Sequence, residues 1–163
     1  MELDFPADFI TKQYAHSEAG FNICHFKDIR HTPDAPAHFH VVISLKNGHS
    51  LVLCIITSQM QKLEKLYSGI NDKALDSLVT LDNSVFECIT KPCVINCNNA
   101  EILTHQELTL RIDPRTGIKT RETDNKFENE LKEKIILAIY QSPIVKGYIK
   151  TALSETFPDF FAS

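Results

Sequence analysis

The sequence has no CxxC pair, no glycine-rich phosphate loop and no apolar run long enough to span a bilayer. Each absence removes a class of protein. Walker, Rossmann and Gly-x-Ser-x-Gly patterns are missing, and only five glycines exist to build phosphate cradles, so the common nucleotide-cofactor and serine-hydrolase designs are disfavoured. Five cysteines, an odd number, with no signal-peptide pattern point to reduced thiols in a cytoplasmic protein with no membrane association. An excess of basic charge is also missing. Lys+Arg total 17 against 21 Asp+Glu, and the formal net charge of −4 argues against a general polyanion binder while leaving room for a local basic rim. What is present is ample core material: 163 residues, 43% hydrophobic, suffice for one domain that needs no disulfide or metal to fold.

The strongest local signal is a β-hairpin. Residues 38–46 and 49–57 are β-branched and apolar and are joined by Asn47-Gly48, the dipeptide of a two-residue type I′ turn. Such a turn pairs Lys46 with His49, Val41 with Cys54, His40 with Ile55 and His38 with Thr57. One face then carries Phe39, Val41, Ile43, Leu45, Val52, Cys54 and Ile56 and belongs to the core. The other is apolar near the turn and polar at its open end, where His38, His40 and Thr57 lie.

Capping-box spacings at Ser58/Gln61, Thr104/Glu107 and Asn125/Glu128 predict three helix starts, and Ser142-Pro143 predicts a fourth. Short strands are expected at 21–27, 78–81, 86–90 and 93–97. The stretch from Asp113 to Asn129 reads as a long polar loop. The organisation expected is mainly β with added helices (α+β): a small antiparallel barrel over 20–112, followed by a loop and a C-terminal helical extension over 113–163.

Six of the seven histidines fall between His16 and His49. His25, His31, His38 and His40 with Cys24 offer zinc-type donors, but their spacing matches no compact zinc motif, so no metal site is assigned and a zinc hydrolase is the weakest of three alternatives. The cysteines read as buried structural thiols. The open hairpin end is the better candidate: an imidazole at His38 can move a proton, while the hydroxyls of Thr57 and Ser58 can orient a phosphate. Arg30 and Lys91 are available cations, and Arg115 and Lys119 lie in a locally basic stretch able to follow a strand's phosphates.

Four stretches add a resemblance. His31-Thr32-Pro33-Asp34-Ala35-Pro36 followed by His38-Phe39-His40-Val41-Val42-Ile43-Ser44, then Ile55-Ile56-Thr57-Ser58, then Lys91-Pro92-Cys93-Val94-Ile95-Asn96-Cys97, then Ile102-Leu103-Thr104-His105-Gln106-Glu107-Leu108 resemble, in order, segments of the MazF/PemK family. The resemblance covers the middle of the chain. It implies an SH3-like barrel acting as the endoribonuclease toxin of a type II toxin–antitoxin module, cutting single-stranded RNA without metal or cofactor, with an antitoxin protein as partner and a homodimer as assembly. It implies a catalytic pair in which Thr57 is the family's threonine and His38 stands where the family has arginine. His38, Thr57, Ser58 and Arg30 are therefore the expected catalytic residues, and His40, Lys91, Arg115 and Lys119 the expected RNA contacts. A non-catalytic SH3-like interaction module is the alternative.

Overall fold

In the computed structural model, which describes residues 5–162, the hairpin organises everything else. β2 (His38–Ser44) and β3 (Ser50–Thr57) pair from Phe39↔Ile56 to Ser44↔Leu51, through His40↔Ile55 and Val41↔Cys54. This is the expected register, reached through a different turn. Gly48 donates to the Leu45 carbonyl (3.3 Å) and Leu45 to the Ser50 carbonyl (3.2 Å), and Gly48 alone in the loop has a positive φ, +73°. A type I′ turn needs positive φ at both central residues, so the expected turn is corrected to a four-residue loop, 46–49. The Asn47 side chain closes it by accepting from the His49 and Ser50 amides, both at 2.9 Å. Loops of two and four residues with the same centre conserve every cross-strand partner, so the register was insensitive to the turn type.

β1 (Phe21–Phe26) lies on the other side of β2, and β7 (Ile118–Glu122) lies outside β1. The far edge of β3 is shared: β6 (Glu101–Thr104) pairs with its first half and β5 (Cys93–Asn96) with its last two residues, and β4 (Leu78–Leu81) flanks β5. The result is an α+β protein with a seven-stranded antiparallel sheet. The sheet is open, with β4 and β7 at its ends.

Helices cover both faces. Val41, Ile43, Val52, Cys54 and Ile56 pack beneath α4 (Asn129–Gln141) and α5 (Gly147–Thr156), which contribute Ile135, Ile136, Ile139, Ile149 and Leu153. On the other side, Cys24, Val42, Leu51 and Leu53 meet Tyr14 and Ala15 of α1 (Ala7–His16) and Leu108 of α3 (His105–Arg111). Ser44 donates to the Tyr14 carbonyl at 2.6 Å, tying α1 to the hairpin. α2 (Met60–Ser68) follows β3 and buries Tyr67.

Several local expectations are revised. The stretch expected to be a loop from Asp113 contains β7, and the helices after it pack Ile135, Ile136, Ile139, Ile149 and Leu153 into the core rather than standing apart as an extension. Residues 86–90 form turns instead of a strand, with Phe86 and Ile89 as buried plugs. The Thr104 capping box is present, whereas α2 begins at Met60 and α4 at Asn129 with no side-chain cap. Ser142 accepts from the Ile144 and Val145 amides ahead of the next helix, which starts later, at Gly147. Among the described residues no helix is long and apolar enough to cross a membrane.

Candidate functional site

The α1/α3 face of the sheet changes character at the open hairpin end. After Phe26 the chain leaves β1, and an isolated bridge from Asp28 to Ile112 joins it to the end of α3. The Ile29 amide bonds the Arg111 carbonyl and the Asp113 amide the Lys27 carbonyl, each at 2.9 Å. These backbone ties place Asp28 between two guanidiniums. Arg111 donates to Asp28 Oδ2 through Nη2 at 2.7 Å and Nε at 3.1 Å, and to Glu101 Oε2 at 3.0 Å. Arg30 reaches Asp28 Oδ2 at 3.3 Å and both Glu101 oxygens at 3.2 and 3.3 Å. The side chain of Asp28 is 2% exposed, while those of Arg30 and Glu101 are 51% and 40% exposed. Burial alone would raise the Asp28 pKa, but the hydrogen bonds from Arg111 and Arg30 outweigh it and hold the carboxyl far below its ordinary range.

Histidines border this network. His40 is buried, 3% exposed, and stacks on Phe26 with centroids 4.2 Å apart. Its Nδ1 lies 3.1 Å from the His38 carbonyl. Desolvation, reinforced by His38, pushes its pKa down to about 3, so the ring is neutral at physiological pH. His38, half-buried, has its pKa lowered by desolvation and by neighbouring His31 and Lys27, against a smaller opposing effect from a backbone hydrogen bond with Pro36. The His31 and His38 rings meet edge to face, 5.6 Å apart. Lys27 fixes the intervening loop by donating from Nζ to the Thr32 carbonyl at 2.6 Å. Asp28, Arg30, His31, His40, Asn99, Glu101 and Arg111 surround a cavity of about 60 Å³.

The sequence candidates divide into two groups. His38 and Thr57 stand one position beyond the last pair of the β2–β3 ladder, Phe39↔Ile56, and Arg30 and His31 line the cavity, with the His31 ring meeting that of His38. Thr57 Oγ1 accepts from the Gln59 amide at 3.2 Å, which leaves its own proton for a ligand. Ser58, immediately after, is exposed. The remaining expected contacts are not gathered there. His40 is withdrawn from solvent and is corrected from an RNA contact to a buried support. Arg115 is bound to Asp113 at 3.0 Å. Lys119 pairs with His25, which packs on Phe39 and so lies on the α4/α5 face of the sheet. Lys91 is exposed just ahead of β5, near Cys93.

Sequence reasoning missed Asp28 and Glu101 and gave Arg111 no specific role. The available signal was the alternation Asp28-x-Arg30 just past a strand. The partners of that pair, 71 and 83 residues on, carried no signal at all. Among the described residues no three His, Cys, Asp or Glu side chains are placed to hold a metal ion, so the zinc alternative finds no ligand set. The five cysteines are free thiols. No family model, curated protein or solved structure matches the chain.

Proposed function

We propose that the protein is a metal-independent endoribonuclease acting on single-stranded RNA, the activity implied by its resemblance to MazF/PemK toxins. The observation that carries this is the pair of imidazoles, His31 and His38, with ring centroids 5.6 Å apart beside the half-exposed Arg30, at the end of the hairpin that also carries Thr57. Two histidines beside a cation are the minimum equipment for cleavage by an internal hydroxyl. His38, kept neutral by its lowered pKa, takes the proton of the ribose 2′-hydroxyl. The 2′-oxygen bonds to phosphorus, the bond to the 5′-oxygen breaks, and His31, as the general acid, supplies the leaving oxygen with a proton. Arg30 and the Thr57 hydroxyl hold the non-bridging oxygens as charge builds. To do so Arg30 exchanges Glu101 for phosphate, and because that pair is largely exposed the exchange costs on the order of 1 kcal/mol or less.

In this reading β1, β2, β3 and β5 take the place of the family's SH3-like barrel, an antitoxin and a second copy of the chain are the partners, and the protein works in the cytoplasm. The interaction-module alternative draws on one observation: Arg30 and Arg111 are balanced by Asp28 and Glu101, which leaves the cluster formally neutral. Incubating the purified chain with mixed single-stranded RNA in EDTA separates the two. The expected products carry 2′,3′-cyclic phosphate and 5′-hydroxyl ends, and His38→Ala and Thr57→Ala each slow cleavage by roughly 100-fold. Intact RNA, or equal rates in the variants, overturns the proposal.

A further inference from the structure

Arg30, Asn99 and Glu101 line two cavities at once. Beyond the small one beside His31 and His40 they form one wall of a groove of about 460 Å³, whose opposite wall is the α4–α5 connection and the start of α5, with Ile144, Lys146 and Tyr148. The volume lies in the range of small-ligand sites. Ile102, Val145 and Ile149 supply apolar surface within a lining that is otherwise largely polar. The far wall is firmly held: Ser142 donates to Asn98 Oδ1 at 2.7 Å, Asn98 donates to the Ala74 carbonyl at 2.8 Å, and Lys150 donates to the Ser142 carbonyl at 2.7 Å. Tyr148 is 58% exposed, large for an aromatic ring, and it pairs with no other ring among the described residues.

We infer that this groove is a nucleobase subsite, in which a base next to the phosphate held by Arg30 stacks on Tyr148 and is read at its edge by Asn99. The inference rests on the endoribonuclease reading and deepens it. A mixed polar and apolar lining, an unpaired aromatic face, an exposed amide and a flanking lysine suit an unstacked base and its next phosphate. The groove opens to the reacting phosphate through Arg30. The helices after β7 therefore supply the specificity wall of the site.

The test uses the full chain and a fluorescent, non-cleavable 2′-O-methyl single-stranded oligonucleotide, with an abasic site scanned along it. Tyr148→Ala is expected to weaken binding of this oligonucleotide roughly tenfold and, in a separate assay on cleavable RNA, to raise KM with little change in kcat, and Tyr148→Phe to retain affinity. One abasic position weakens binding to the native chain by a similar factor and adds nothing in Tyr148→Ala. Tyr148-dependent binding without cleavage of ordinary RNA supports the subsite and removes the nuclease. Cleavage with Tyr148→Ala binding as tightly as the native chain removes the subsite alone. No binding to any oligonucleotide overturns both.

Discussion

Val42 and His40 are two residues apart on one face of β2 and both are buried, yet their surroundings follow opposite rules. Val42 sits in the cluster that includes Tyr14, Leu51, Leu53 and Leu108, where burial itself stabilises, by about 1.5–3 kcal/mol for a side chain of this size. His40 sits where the same face meets Asp28 and Arg111. There burial costs energy and has to be offset by specific partners, and among the described residues no buried side-chain nitrogen or oxygen lacks one. The apolar half therefore tolerates local adjustment. The polar half depends on every member of its network, and it is also the half whose rim leaves Arg30 and His38 half-exposed.

The largest expected effect tests that dependence. Arg111→Ala removes the closer partner of a carboxylate that is 2% exposed and should destabilise by about 3–5 kcal/mol in chemical denaturation. Leu108→Ala, in the apolar half, should cost about 2–5 kcal/mol. The two differ in rescue. Adding Asp28→Leu to Arg111→Leu should restore much of the loss, because no buried charge is then left unpaired, whereas Leu108→Ala has no comparable rescue. A double variant no better than Arg111→Leu would break the comparison.

The next effect is one of pH. The unfolded chain protonates His40 at its ordinary pKa of 6.5 while the folded chain resists until about 3, so stability is full above 6.5 and falls as pH drops between these values. Between about pH 7 and pH 5 the expected loss from this group is about 2 kcal/mol. His40→Leu should flatten that part of the curve, and an unchanged slope would show that His40 is not the group responsible. The smallest effect lies at the exposed rim. Glu101→Gln should change stability by less than about 1 kcal/mol. The same substitution frees Arg30 for anions, so single-stranded RNA should bind more tightly and with a steeper salt dependence. Weaker binding by the variant would reverse the role assigned to Glu101.

Much of this was legible in the chain, for reasons that can be named. The β2–β3 register followed from alternating apolar residues around Asn47-Gly48, and it survived a wrong turn type because pairing depends on where the loop is centred. The Thr104 cap was legible because its partner is three residues away. β7 was not. Ile118–Glu122 alternates charged and polar residues with one apolar anchor, a pattern that reads as loop until β1 offers an edge to pair with. The site divided in the same way. His38 and Thr57 lie at the ends of β2 and β3, one position beyond the Phe39↔Ile56 pair, and local hairpin pairing was enough to place them there. Glu101 and Arg111 reach Asp28 and Arg30 only because β6 pairs with β3 and α3 follows it, and no local pattern encodes that.

By itself the sequence determined the hairpin, the placement of Phe39, Val41, Ile43 and Leu45 toward the core, and the position of His38 and Thr57 at its open end. These are consequences of side-chain alternation and short-range pairing. Only the tertiary structure decided that the sheet stays open, that residues after Asp113 pack into its core, and that His40 is withdrawn while Arg30 remains half-exposed. Those outcomes depend on which distant surfaces meet. Burial and charge pairing are properties of that meeting, and no residue's immediate neighbours in the chain can fix them.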